Sequence, residues 1–269
     1  MVIIAAFGGC GTAPPEAPVA APSAPNASKV AGVTPSPGST RKSTPTESFT
    51  VNHDCARVVG KMSLSERVGQ LLMISVSSNG IGSSEAATIA GTRAGSVILL
   101  GNSTAGAHAV RSLVTRVRAA SRSPEGVKLM LAADQEGGFV QRLKGPGFTA
   151  IPSASLQARQ SNARLRRNAY EWGRQLKAAG INANLAPVAD VVPIFMVSIN
   201  QPIGRLRRGY GPFPKTVAAK VTAFTQGMDR AGVATAVKHF PGLGRVRGNT
   251  DFMSRVVDTT TTRHDAALA

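Results

Sequence analysis

Charged residues stand where several apolar runs of this chain end. Asp134 follows the run 127–133, Asp190 lies near the end of 181–192, and the pair Lys238-His239 follows 233–237. A carboxylate accepts hydrogen bonds from neighbouring hydroxyls or moves a proton, an ammonium donates, and an imidazole does both. When apolar runs alternate with helices and finish in charged residues, those residues gather at the carboxyl ends of parallel strands, where barrels and doubly wound sheets alike carry their sites. Other chemistries lack their motifs. No Gly-x-Gly-x-x-Gly follows a first strand and no Gly-Lys-Ser/Thr loop occurs, so dinucleotide and P-loop readings are weak. No His-Glu-x-x-His or paired Cys-x-x-Cys is present; metal use is unsupported and no cofactor is expected.

The elements that must position these residues follow from pattern. Ser63 with Glu66 three residues later reads as a capped helix start, and the apolar run 71–76 as a first strand. Strands are predicted at 95–100, 127–133, 181–192 and 233–237, and helices at 105–120, 155–179 and 214–231, the last two stopped by Gly180 and Gly232. The order β-α-β-α requires parallel strands joined by right-handed crossovers.

Length and composition limit the rest. The 269 residues suit one or two domains or one large α/β barrel, and 42% hydrophobic residues lie in the globular range. Lys plus Arg (31) less Asp plus Glu (14) leaves +17, which favours an anionic neighbour. Nucleic acid is not the expected partner, because the arginines are scattered from Arg41 to Arg263 and the clusters 164–167 and 205–208 have no aromatic run beside them. The first ten residues form an apolar run ending Gly-Gly-Cys10, which resembles the end of a bacterial lipoprotein signal peptide with Cys10 as the lipidated residue. The apolar stretch is short and lacks a basic start, so an upstream start codon is expected; the alternative is a frayed terminus with an incidental cysteine. Residues 11–54 are read as a disordered tether, 11–48 being mostly Ala, Pro, Ser, Thr and Gly with eight of the 17 prolines. Cys55, the other cysteine, is read as a small buried thiol, a Cys10–Cys55 disulfide having no framework of further cysteines. No later run approaches the roughly 20 apolar residues of a membrane span.

Four motifs then carry a resemblance. Asp134-Gln-Glu-Gly-Gly-Phe-Val-Gln-Arg142-Leu with Gly145-Pro-Gly-Phe-Thr149, and Lys238-His-Phe-Pro-Gly-Leu-Gly244, resemble the two signatures of family 3 glycoside hydrolases, in particular bacterial β-N-acetylhexosaminidases. The stretch 64–73 resembles the family's opening helix, and Pro202-Ile-Gly204 with Arg208-Gly-Tyr210 its arginine loop. The motifs keep the family's order over 63–258, and the anchor and tether are similar to those of actinobacterial lipoprotein members. The resemblance implies an α/β fold of (β/α)8 barrel type, incomplete at about five of eight units, in a domain 55–269. It implies a pocket for one pyranose in which Asp134, Arg208, Lys238 and His239 bind hydroxyls with charge-assisted strength, with Arg142 as a further substrate-binding residue. The alternatives are structural: Asp134 as a helix N-cap or the partner of Arg142, Lys238-His239 as a core hydrogen-bond network, and Asp190 as a strand end.

Departures from the family pattern concern catalysis. Where relatives carry an Asp-Ser-His set as proton donor, this chain reads Asn249-Thr250-Asp251; Asp251 becomes the candidate general acid, provided burial raises its pKa, or else a solvated loop residue. The family's nucleophilic aspartate lies in a later Ile-Ser-Asp-like stretch that has no counterpart here, which implies a truncated chain of impaired activity. Arg207 and Pro212-Phe213-Pro214 also depart from the usual arginine loop. The expected function is a lipid-anchored or secreted envelope hydrolase releasing non-reducing β-linked N-acetylglucosamine from peptidoglycan fragments by a retaining mechanism. Its rivals are a non-catalytic carbohydrate-binding envelope lipoprotein and a β-glucosidase.

Overall fold

The computed structural model describes residues 53–124, 127–265 and 267. The signal-like segment with Cys10 and nearly all of the tether 11–54 lie outside them. A compact unit runs from Val58 to Ala269. In chain order the elements are α1 (His53–Lys61), α2 (Leu64–Gln70), β1 (Met73–Ser77), α3 (Ser83–Thr92), β2 (Ser96–Leu100), α4 (Gly106–Ala120), β3 (Met130–Ala133), β4 (Gln135–Gly137), β5 (Val140–Gln141), α5 (Ala154–Gln157), α6 (Asn162–Ala178), β6 (Ala183–Asn184), α7 (Pro214–Arg230) and β7 (Ala234–Thr235), with a 3-10 turn at Ile194–Met196.

Local signals read from the sequence set many of these boundaries. Ser63 caps α2 in a reciprocal box with Glu66: each side chain takes up a backbone N–H that the first helical turn leaves unpaired. Helix α4 turns Val110, Leu113, Val114 and Val117 to the core at the spacing of one helical face. Helices α6 and α7 pack together, the Trp172 and Phe224 rings meeting at 6.2 Å between centroids, and Leu176 and Met228 are fully buried. Gly180 (φ 89°) and Gly232 (φ 71°) end the two helices as predicted.

The main sheet has the order β1-β2-β3-β6-β7, all parallel. Helices fill the connections between successive strands, as an α/β architecture of (β/α)8 barrel type requires, and five parallel strands make it incomplete. Because every strand runs the same way, Asp134, Asp190 and Lys238-His239 come out at one end.

Three expectations are corrected. The single helix at 155–179 is two helices, since Ser161 caps a new start by accepting from Arg164 N, and Lys220 Nζ donates to the freed Gln160 carbonyl at 2.5 Å. The strands expected at 181–192 and 233–237 are only two residues long. Beyond them the proline-rich stretch from Pro187 leaves the ladder, which resumes only at the isolated bridge between Val188 and Lys238. Cys55 is exposed rather than buried; it lies in the early turns of α1, where residues 55–57 are all exposed, so no core packs over it.

Candidate active site

The chain leaves β3 at Ala133 and turns into the short antiparallel hairpin β4–β5. Asp134 and Glu136 therefore flank the point of departure. Lys238, brought in from β7, places Nζ 2.5 Å from Asp134 Oδ1 and 2.7 Å from Glu136 Oε1. Arg208 closes the array: Nε donates to Glu136 Oε2 at 2.9 Å, Nη2 to Glu136 Oε1 at 2.8 Å and Nη1 to the Pro202 carbonyl at 2.9 Å. Two carboxylates and two cations balance in formal charge. Burial by itself would raise the Glu136 pKa, but the Arg208 hydrogen bonds and the charges of Lys238 and Arg208 outweigh it and hold the carboxyl below its ordinary range. Burial works against the Arg208 cation too, and Glu136 again reverses the sign, with help from the charges of Asp190 and Asp251.

A second pair adjoins the first. Asp190, its side chain wholly buried, holds His239 Nδ1 through Oδ2 at 2.6 Å and accepts from Leu243 N through Oδ1 at 2.5 Å. The imidazole is thereby fixed at one nitrogen. Asp134 Oδ2 and His239 Nε2 have no hydrogen-bond partner among the described residues. A recess of about 200 Å³ opens beside this pair, with Lys238, His239, Asp190, Arg245 and Asp258 in its wall.

The loops are tied to each other by buried carboxamides. Asn200 donates to the carbonyls of Leu243 and Val246, both at 2.7 Å, and accepts from Ile203 N and Gly204 N, which joins the loop after β7 to the loop bearing Arg208. Gln157 donates to the Glu136 carbonyl at 2.8 Å and accepts from the Tyr210 hydroxyl at 3.1 Å. Burial, then the Glu136 charge, push the Tyr210 phenol pKa up, so it serves as a neutral donor. Each carboxamide supplies donor and acceptor without a charge to bury, which suits crowded loop crossings.

The structure links Asp134, Lys238 and Arg208 through Glu136, and sets His239, next to Lys238 in the chain, on Asp190. Arg142 is not the side-chain partner of Asp134; only its backbone N–H reaches the Asp134 carbonyl, at 3.2 Å, and its Nε is buried without a hydrogen bond among the described residues. Asp251 lies on an exposed turn held by its own N–H donating to Asn249 Oδ1 at 3.0 Å, although its charge reaches Arg208. The burial on which its expected acid role depends is not supplied. Glu136, Asn200 and Gln157 were missed. For Glu136 the signal was present, a carboxylate two positions from Asp134 inside an otherwise uncharged stretch; for the two amides nothing in the sequence separates them from surface residues. Among the described residues no three His, Cys, Asp or Glu side chains converge as metal ligands would, and no helix is long and apolar enough to cross a membrane.

By its parallel α/β layers and by the placing of its charged groups, this is a barrel-type protein with its site at the carboxyl rim of the sheet. Residues 63–266 match the Glycosyl hydrolase family 3 N terminal domain, and the chain belongs to glycoside hydrolase family 3. It is 32% identical over 183 residues to a beta-hexosaminidase of Idiomarina loihiensis, covering 66% of this chain and 52% of that protein. The crystal structure of a beta-N-acetylhexosaminidase from Beutenbergia cavernae superimposes with a TM-score of 0.75 at 44% identity, covering 77% of this chain and 62% of that one. A family 3 beta-N-acetylglucosaminidase from Paenibacillus sp. FPU-7 matches at a TM-score of 0.59 and 30% identity, over 70% of this chain and 35% of that one. The chain spans about half the length of the curated relatives it matches.

Proposed function

We propose that this chain is a β-N-acetylhexosaminidase that removes non-reducing β-linked N-acetylglucosamine from peptidoglycan-derived fragments. The observation that supports this reading is the array of Asp134, Lys238, Glu136 and Arg208 beside the Asp190–His239 pair. Asp134 Oδ2 accepts from sugar hydroxyls, Lys238 and His239 donate to the same oxygens, and Glu136 with Arg208 keeps Lys238 in place. Arg208, its side chain only 10% exposed, is turned inward on Glu136, so its part in this reading is mainly to hold the array.

The reaction is a retaining displacement. A carboxylate nucleophile attacks C1 while an acid protonates the glycosidic oxygen; the C1–O bond breaks, and a water, giving its proton to the same acid group, then releases the sugar. Asp134, Glu136 and Asp190 are committed to Lys238 and His239, so none of them is assigned as nucleophile. Asp251 is assigned as acid and base, the candidate the motif position offers, its charge felt at Arg208. The protein acts at the bacterial cell envelope, held by a lipid on Cys10.

A second reading, a carbohydrate-binding envelope lipoprotein without turnover, is favoured by the exposure of Asp251. Calorimetric titration with N-acetylglucosamine and glucose, together with turnover of chromogenic β-N-acetylglucosaminide and β-glucoside, tests both. Preference for the N-acetyl sugar supports the main reading, binding without turnover supports the second, and preference for glucose overturns both in favour of a β-glucosidase.

A further inference from the structure

The backbone ladder between β3 and β6 ends at the bond from Leu185 N to the Ala133 carbonyl, 3.0 Å long. The next polar groups on the departing chain, the N–H and C=O of Gln135, are taken up by one side chain. Asn184 Oδ1 accepts from Gln135 N at 3.0 Å, and Asn184 Nδ2 donates to Gln135 O at 3.2 Å. Asn184 has no solvent exposure at all. Gln135 is the residue between Asp134 and Glu136, and a two-point clamp on it sets the direction in which the chain leaves the sheet and so the separation of the two carboxylates.

We infer that Asn184 is a positioning residue for the Asp134–Glu136 pair, fixing the gap into which Lys238 fits; its bearing on sugar affinity rests on the function proposed above. The fold contains its own control. Asn182, two residues earlier on the same segment, makes the same kind of clamp on β3, accepting from Leu131 N at 2.6 Å and donating to the Leu129 carbonyl at 3.0 Å. That clamp lies at the far end of the strand, away from the charged rim. Both asparagines replace ladder bonds with side-chain bonds, and Asn184 alone does so next to the carboxylates.

The test compares Asn184→Leu with Asn182→Leu in the full 269-residue chain, each change keeping the branching and heavy-atom count of the side chain while removing both bonds. Lys238 held between two carboxylates is shielded from amine acylation, and exposed Lys215 gives an internal reference rate. Asn184→Leu is expected to raise the Lys238 to Lys215 acylation ratio, read by peptide mass spectrometry, by about threefold or more, a coupling of the size seen between groups in one network. Asn182→Leu is expected to lower the melting temperature without moving that ratio. If Asn184→Leu does not fold, Asn184→Asp, which keeps the acceptor for Gln135 N and sets an oxygen against Gln135 O, is expected to raise the ratio instead. Equal ratios in the Asn182 and Asn184 variants overturn the inference. Titration with N-acetylglucosamine is read separately: if the unaltered chain does not bind it, the sugar reading falls while the acylation ratio still decides the role of Asn184.

Discussion

Arg208 grips both oxygens of Glu136, at 2.9 and 2.8 Å, across 72 positions of sequence. The pair is among the least exposed charges of the molecule, with side-chain exposures of 10% and 3%. Such a fork loses little to solvent screening, and each partner is costly to leave alone.

Glu136→Gln is therefore expected to destabilise the fold by about 3 to 5 kcal/mol, because Arg208 stays buried without its counter-charge. Urea unfolding of the variant against the unaltered chain measures it. A loss under about 1 kcal/mol would mean that solvent or another carboxylate replaces Glu136 at the guanidinium.

Asp134→Asn acts on binding more than on stability. Lys238 keeps Glu136, so no buried cation is orphaned, but the charged acceptor for sugar hydroxyls is gone. A charge-assisted bond contributes about 1.5 to 3 kcal/mol, so affinity for N-acetylglucosamine should fall roughly 10- to 150-fold. Calorimetry showing unchanged affinity would remove Asp134 from the site.

Stability should fall on acidification, with a sign fixed by two carboxyls. The Glu136 pKa is depressed in the fold, where Arg208 and Lys238 overcome the cost of burial; that of Asp258 is drawn down to about 2, hydrogen bonds from Thr261 and Thr260 outweighing its burial. A depressed pKa contributes stability that is complete above the unfolded value, roughly pH 4, and is lost as pH falls through the folded value. Thermal melts from pH 7 to pH 2 should show this acid limb, and Glu136→Gln should flatten it.

Asp251 is tested in a chimera joining residues 53–265 to the remaining length of the Beutenbergia cavernae relative. Asp251→Asn should slow a natural disaccharide by about 100-fold or more and spare an aryl glycoside whose leaving group needs no proton. Equal slowing of both substrates would place the proton donor elsewhere.

Cys10 is tested by detergent partition. With an upstream start supplying a basic leader, the protein should enter the detergent phase, and Cys10→Ala should return it to water. Unchanged partition of the variant would exclude lipid on Cys10.

The chain order of elements was legible because its causes are local. Ser63 and Glu66 cap one turn, Val110 to Val117 repeat at helical spacing, and Gly180 and Gly232 stop helices where they stand. The motifs around Asp134, Arg208 and Lys238 named the family and put charges at strand ends, since alternating strands and helices force parallel order. Pattern failed where a neighbour overrides propensity. Apolar runs 181–192 and 233–237 read as long strands, but the paired ladder is two residues on each and returns past Pro187 only at the isolated bridge between Val188 and Lys238. Ser161 broke a helix that periodicity alone would continue.

What tertiary structure decided is which charge meets which. Lys238 reaches Asp134 across 104 positions, and Asp190 finds His239 across 49. Sequence placed these groups on one rim but left open whether Asp134 would bind sugar, cap a helix or pair with Arg142, and gave Glu136 no role. Those pairings depend on side chains meeting within 3 Å. A hydrogen bond or ion pair falls off steeply with distance and angle, and only the packed sheet and its clamped loops, held by Asn184, Asn200 and Gln157, fix positions that finely.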